Sequence, residues 1–194
     1  TYQISGIYAH QETGTGWTHE RDKQIITSCR NAAIPFHEFP SNGVVRRLND
    51  RDKWGAIRAK RMQVPLIAAP QSLQSIGPCP SDRLPEPSNA LIRNQISGRT
   101  QKGGRKSAQR LLAAFLSDKA QGYLPHISKP GQAGAFSSRL SPHLAFGSLS
   151  EREVFHGVSD YLNTGKDRLS PAALKGGRSV LTRLSWRSHF IQKL

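Results

Sequence analysis

The sequence predicts a partial α/β unit built on a parallel sheet, followed by a mainly α-helical domain. Three observations predict it. The first forty residues pass from a strand-like run to a helical pattern and back to a strand-like run. Six prolines between Val64 and Ser97 (Pro65, Pro70, Pro78, Pro80, Pro85 and Pro87) exclude a long helix or a central strand there. Beyond them, apolar residues recur at helical spacing and β-branched runs disappear. The predicted boundaries are an α/β piece over 1–45, an interdomain segment over 46–100 and a helical domain over 101–194.

In the first piece, Tyr2 to Ala9 mixes β-branched and aromatic residues with small ones, and Gly14 and Gly16 mark a turn after it. Trp17 to Asn31 reads as a helix, with Trp17, Arg21, Ile25 and Cys29 at four-residue spacing. Ile34 to Phe39 is a second strand, since Pro35 and Pro40 keep it out of helix. Strand, helix and strand in this space form a βαβ unit. The interdomain segment opens with a basic helix over Arg46–Met62, whose apolar side is Val45, Leu48, Trp54, Ile57 and Met62. It continues as a proline-rich surface run.

The helical domain begins after Gly103-Gly104. Ala108, Leu111, Leu112, Phe115 and Leu116 share a helix face, Gly122 ends the run, and Tyr123 to Ala135 is a connector. Pro142 starts the next helix. Ser150 and Glu153 frame a capping box before Val154, Val158, Tyr161 and Leu162. Gly165 breaks that helix, and Ser179 to Leu194 makes the last one.

Charge divides unevenly. Residues 1–97 hold 12 basic and 8 acidic side chains, whereas 98–194 hold 16 and 5. Such a balance suits a polyanionic partner, nucleic acid ahead of an anionic membrane. No apolar run is long enough to span a bilayer, and no signal peptide pattern opens the chain. Cys29 and Cys79 make neither a disulfide framework nor a metal cluster, which fits a reduced, cytoplasmic protein. The chain opens on a strand at Thr1 and closes in a helical pattern with no stop signal. That predicts an internal fragment of a longer protein.

Metal and nucleophile chemistry find little support. The seven histidines are scattered, with no HExxH, and no serine sits in GxSxG. Gly103-Gly104-Arg105-Lys106-Ser107 is not a phosphate-binding loop, because Arg105 interrupts the required Gly-Lys pair. Ser137-Ser138-Arg139-Leu140-Ser141-Pro142 is more informative. Its hydroxyls and guanidinium precede a helix start, a setting that suits a phosphate or pyrophosphate and equally suits an ordinary cap. Tyr123 lies 14 residues ahead of Ser137 and can return to the same ligand. Two basic groups remain: Arg99, Lys102, Arg105, Lys106 and Arg110, and then Arg178, Arg183 and Arg187 beside Trp186. The second is either a nucleic-acid surface or a solvated face next to a core tryptophan.

At these residues the chain resembles the photolyase and cryptochrome family of flavoproteins. The similarity rests on Ser137-Ser138-Arg139-Leu140-Ser141-Pro142-His143-Leu144-Ala145-Phe146-Gly147 with Leu149-Ser150 and Arg152. It is joined by Gly103-Gly104 and the helix to Leu116, by Tyr123, and by Leu184-Ser185-Trp186-Arg187. Tyr8 to Glu12 and Glu20-Arg21-Asp22 look like the late strand and helix of the family's α/β domain, and Trp54 falls at its hand-over to the linker. The resemblance runs over essentially the whole chain. It implies an incomplete photolyase-like architecture, from the end of the α/β domain into the first helices of an FAD-binding domain.

The resemblance implies FAD contacts at Tyr123, Ser137, Ser138, Arg139, Leu140 and Ser141, with Arg187 beside the flavin. It makes Trp186 the catalytic wall against which a flipped pyrimidine dimer packs, and places Arg105, Lys106, Arg183 and Trp186 at DNA. The implied activity is that of a deoxyribodipyrimidine photolyase-like carbon–carbon lyase, a monomer acting on damaged DNA. The alternative is a cryptochrome-like blue-light photoreceptor without repair activity. A fragment of this extent is expected to bind FAD poorly and to be inactive alone. Two departures imply either an altered lesion recognition or the photoreceptor, which Arg183 favours. Arg183 stands where many repair enzymes have Glu or Gln, and Ser188-His189 replaces the usual Glu-Phe after Trp186-Arg187. Some members carry a second, antenna chromophore near the region of Glu12 and Glu20. The sequence leaves folate, flavin-type and no antenna open.

Overall fold

Two short strands and eight helices are the main regular elements among the described residues, and the long C-terminal helix packs chiefly on two of the others. The computed structural model describes residues 3–41, 43–75, 77, 82–83 and 100–193. Thr1, Tyr2 of the expected first strand, Cys79, Arg99, Leu194 and Pro78, Pro80, Pro85 and Pro87 of the interdomain run lie outside these residues.

β1 (Ile7–His10) and β2 (Phe36–Phe39) pair in parallel, with Ile7 opposite Phe36 and His10 opposite Phe39. α1 (Gly16–Asn31) connects them, so the first forty residues form the predicted βαβ unit. Both strands are shorter than expected. Residues 3–6 pair with no strand, and Pro35 precedes β2 while its carbonyl accepts from Ile7 N–H at 2.8 Å. Proline there removes a donor yet keeps its acceptor. Tyr8 stays 70% exposed and stacks on His37 at 4.7 Å.

The expected basic helix over 46–62 is corrected to a 3-10 turn, Arg51–Lys53, leading into α2 (Trp54–Gln63). The cause is local. Arg47 sits at φ 55°, a left-handed conformation no helix interior adopts, and the Asp50 carboxylate caps the turn by accepting from Asp52 N–H at 3.0 Å. α2 is also more than a tether. Met62 is fully buried, Arg58 nearly so, and the helix packs on α7 (Glu151–Thr164).

α3 (Arg105–Ala114) runs through a π turn at Phe115–Lys119 into α4 (Ala120–His126), so Gly122 does not end the run. The π turn explains the spacing. Phe115 and Ala120 are both buried although five residues apart, a step that one wide turn places on one face. Gly122 lies inside α4 because the Phe136 ring needs its face: a Cβ there would stand 2.2 Å from that ring. The expected connector from Tyr123 to Ala135 is corrected likewise. It holds the end of α4 and then α5 (Pro130–Phe136), which starts at a proline as helices often do.

α6 (Ser141–Ala145) is only five residues long. α7 begins at the predicted capping box, the Ser150 hydroxyl accepting from Glu153 N–H at 3.1 Å and the Glu153 carboxylate from Ser150 N–H at 2.8 Å. α8 (Pro171–Gln192) starts eight residues before the expected Ser179, capped by the Ser170 hydroxyl. Gly176 and Gly177 let α4 and α7 pack close against α8.

The core joins Phe115, Ala120, Tyr123, Leu140, Leu149, Val154, Val158, Val180 and Leu184. Among the described residues strands occur only at Ile7–His10 and Phe36–Phe39, so 105–193 is helical as predicted. No described helix is long and apolar enough to cross a membrane. The segment after β2 fastens to the end of α8: Val45 N–H donates to the Gln192 amide oxygen at 2.7 Å, and the Gln192 amide returns a bond to Val45 O at 2.9 Å.

Candidate functional site

A cavity of about 270 Å³ opens between α4, α6, α7 and α8, lined by Tyr123, Ser138, Leu140, Ser141, Leu144, Val154, Val180, Arg183, Leu184 and Arg187. Six residues singled out from the sequence meet here: Tyr123, Ser138, Leu140, Ser141, Arg183 and Arg187. They come from three separate stretches of chain. Leu140 and Leu184 are buried floor, while Ser138 is half-buried and Ser141 exposed at the rim. The volume is near the lower end of small-molecule pockets, roughly 300–1,000 Å³. It suits part of a dinucleotide rather than all of one.

Each wall has a local cause. Tyr123 is 5% exposed and meets Phe115 edge-on at 5.4 Å. Burial pushes its phenol above the usual value and the nearby Arg183 charge pulls the other way, with a net rise. Tyr123 therefore stays a neutral hydroxyl beside a cation. Arg187 is tethered on two sides, to Leu144 O at 3.4 Å and to the Glu151 carboxylate at 3.8 Å.

The remaining predicted residues are elsewhere. Ser137 caps α5, its N–H donating to Ala133 O at 2.8 Å, and it does not line the cavity. Arg139 adopts φ 53° and turns outward, where Gln101 donates to its carbonyl at 2.8 Å and accepts from its Nε at 3.3 Å. That turn brings the flanking Ser138 and Leu140 into the wall. α6 is too short to develop much of a dipole, and no side chain caps its start, so its first N–H groups have no side-chain partner. Hydroxyls and guanidiniums carry the polar character of the lining.

Trp186 is 48% exposed and outside the cavity lining, with the Arg183 guanidinium 4.6 Å above its ring. It lies on the exposed side of α8 with Phe190, which is 63% exposed. Arg105 pairs with Glu153, whereas Lys106 and Lys102 stay exposed. In the N-terminal unit the Glu12 carboxylate accepts from Thr13 and Gly14 N–H at 2.8 and 2.7 Å and pairs with Arg21. Glu12 lines a separate hollow with His19, Arg46 and Arg47, while Glu20 pairs with Lys23.

Sequence reasoning missed Glu151 and Arg58. Glu151 is 2% exposed, and its carboxylate meets Arg58 Nη2 at 2.5 Å and accepts from the Ser188 hydroxyl, whose oxygen is 2.6 and 2.8 Å from its two oxygens. So a carboxylate from α7 adjoins position 188, where the resemblance puts a glutamate and this chain has serine. The signal was present in the sequence as the unusual Ser188, but its partner lies 37 residues away on another helix. Among the described residues no group of three His, Cys, Asp or Glu side chains could hold a metal ion. No family model matches the chain. None of the curated proteins matches it either.

Proposed function

We propose that this chain belongs to a flavoprotein of the photolyase and cryptochrome type, and that the protein carrying it splits cyclobutane pyrimidine dimers in DNA. The observation that carries the reading is the meeting of Tyr123, Ser138, Leu140, Ser141, Arg183 and Arg187 around one cavity. Sequence spacing does not require them to meet.

The lining suits part of FAD. Ser138 and Ser141 offer hydroxyl donors to a pyrophosphate, and Arg187 adds a charge that strengthens such bonds. Leu140, Leu144, Val154, Val180 and Leu184 exclude water behind them. Tyr123 presents a protonated phenol that donates without changing charge. When bound, reduced FAD absorbs blue or near-UV light and supplies one electron to the dimer, to be returned after the ring opens. The protein's part in that chemistry is to hold, orient and desolvate. Trp186 gives a flat apolar wall for a lesion taken out of the duplex, and the basic second half holds the phosphates.

A second reading, a blue-light photoreceptor without repair activity, is favoured by one contact. The Arg183 guanidinium covers the Trp186 ring, the surface on which a lesion would stack. Thymine-dimer repair under blue light by the full-length protein carrying this chain separates the two. Repair supports the lyase, and flavin binding with no repair supports the photoreceptor. Loss of both flavin binding and repair removes the family reading altogether.

A further inference from the structure

Glu151 stands between two guanidiniums that hold it unequally. Arg58, arriving from α2 with its side chain 9% exposed, reaches the carboxylate at 2.5 Å. Ser188 occupies it from α8 at 2.6 Å. Arg187 comes no nearer than 3.8 Å and its side chain is 34% exposed. One acid between two cations leaves one positive charge over, and the geometry puts that charge on Arg187. Arg187 also borders two spaces, the cavity and a neighbouring cleft of about 570 Å³ beside the C-terminal ends of β1 and β2.

We propose that Arg58 is a positioning residue for an anion site at Arg187: by engaging Glu151, it leaves the Arg187 guanidinium available to the phosphate oxygens of a ligand in the cavity. This rests on the reading of the cavity as a pyrophosphate site and adds what keeps that site charged. A guanidinium closely paired with a buried carboxylate must give up that partner before it can bind phosphate. Without Arg58, Glu151 has Arg187 as its only cation among the described residues and draws it out of the cavity. Without the charge of Glu151, Arg187 has no competing carboxylate among the described residues and keeps its bond to Leu144 O. The two halves of one ion pair therefore act on ligand affinity in opposite directions. A purely structural pair has no means of doing so.

The test is titration of the full chain with inorganic pyrophosphate at fixed ionic strength, with thermal unfolding followed alongside. Arg58→Gln is expected to weaken binding about ten-fold, the scale of one charge-assisted hydrogen bond. Arg58→Lys keeps the charge on Glu151 and should stay near wild type. Glu151→Gln should bind as tightly as wild type or more tightly, and Glu151→Gln in the Arg58→Gln background should restore the loss. Equal weakening by Arg58→Gln and Glu151→Gln overturns the proposal, as does no change in either, or no pyrophosphate binding by the wild type. Should Arg58→Gln fail to fold, Glu151→Gln decides: weaker binding refutes, and equal or tighter binding supports. A parallel titration of the full-length protein carrying this chain with FAD separates this inference from the flavin reading. Arg58-dependent pyrophosphate binding without FAD binding removes only the flavin. FAD binding indifferent to Arg58 removes only the role given to Arg58.

Discussion

A methyl group on Gly176 would lie 1.8 Å from the Ala120 carbonyl oxygen, so the backbones of α4 and α8 touch at this point. The contact sets the width of the candidate site. Tyr123 lies one turn beyond Ala120, and Arg183 and Arg187 lie two and three turns beyond Gly176 on the same side of α8.

Gly176→Ala should therefore destabilise the chain by more than the helix propensity of alanine returns. Overpacking costs about 1–3 kcal/mol even where side chains can adjust, and a carbonyl cannot. Urea unfolding should show the loss as a lower midpoint with an unchanged slope. An unchanged midpoint would mean that the two helices slide apart freely.

The capping box at the start of α7 gives a second expectation. Ser150→Ala should cost about 1 kcal/mol. Burial pushes the Glu153 pKa up, but bonds from Arg105 and from the Ser150 N–H and hydroxyl outweigh it, and the net shift is downward. A lowered folded value means that this stabilisation is present above the ordinary carboxylate range and is lost as pH falls through the folded value. Glu153→Gln should accordingly flatten the acid limb of a stability-against-pH curve, measured by thermal melts below neutrality.

The local part of this fold was legible and the long-range part was not. The box at Ser150 and Glu153, the strand–helix–strand order and the helical character of the second half all follow from residues within a few positions of one another. Gly122 misled because glycine marks a break in isolation, yet here it gives way to a neighbour supplied by another segment, the Phe136 ring. Arg58 stands out from no local pattern, for the same reason. Its partner Glu151 is 93 residues away. The candidate site followed the same division. Ser138 and Ser141 were evident as hydroxyls, but the outward turn of Arg139 depends on Gln101, 38 residues earlier.

That turn sharpens the expectation for cofactor binding. Ser138→Ala with Ser141→Ala removes two donors from the cavity and should lower flavin content per mole of the full-length protein. Ser137→Ala should not, because Ser137 does not line the cavity. Absorbance of the purified proteins near the flavin band reads both. Equal losses in the double variant and in Ser137→Ala would place the hydroxyl effect outside this cavity.

The predicted phosphate contacts divide by their present partners. Arg105 is held by Glu153, while Lys106 beside it is exposed. If α3 meets DNA, Lys106→Ala should reduce the salt slope of binding by roughly one unit, on damaged and intact duplex alike. Arg105→Ala should reduce it by less, since its charge is already partly neutralised. The measurement is affinity for both duplexes across a series of salt concentrations, and equal slopes for both variants and wild type would remove α3 from the interface.

Arg183 and Trp186 decide between the two functional readings, and their contact makes the outcome specific. Trp186 is 48% exposed with the Arg183 guanidinium 4.6 Å above its ring, so a base can stack there only if the arginine moves. A cation–π contact at an exposed site contributes about 0.5–1 kcal/mol, less than the roughly 1–3 kcal/mol of stacking one base on an aromatic ring. In a repair enzyme the lesion should therefore displace Arg183 at modest cost. Arg183→Gln would uncover the ring and increase the preference for dimer-containing over intact duplex by several-fold, on the order of the lost contact. Trp186→Ala would weaken dimer binding about ten-fold and leave intact duplex nearly unchanged, because only an extruded base reaches the ring. Binding of both duplexes to the full-length protein and to each variant, at two salt concentrations, gives the comparison. If Trp186→Ala changes neither affinity and Arg183→Gln creates no preference for the dimer, this wall does not take a lesion, and the photoreceptor reading replaces repair.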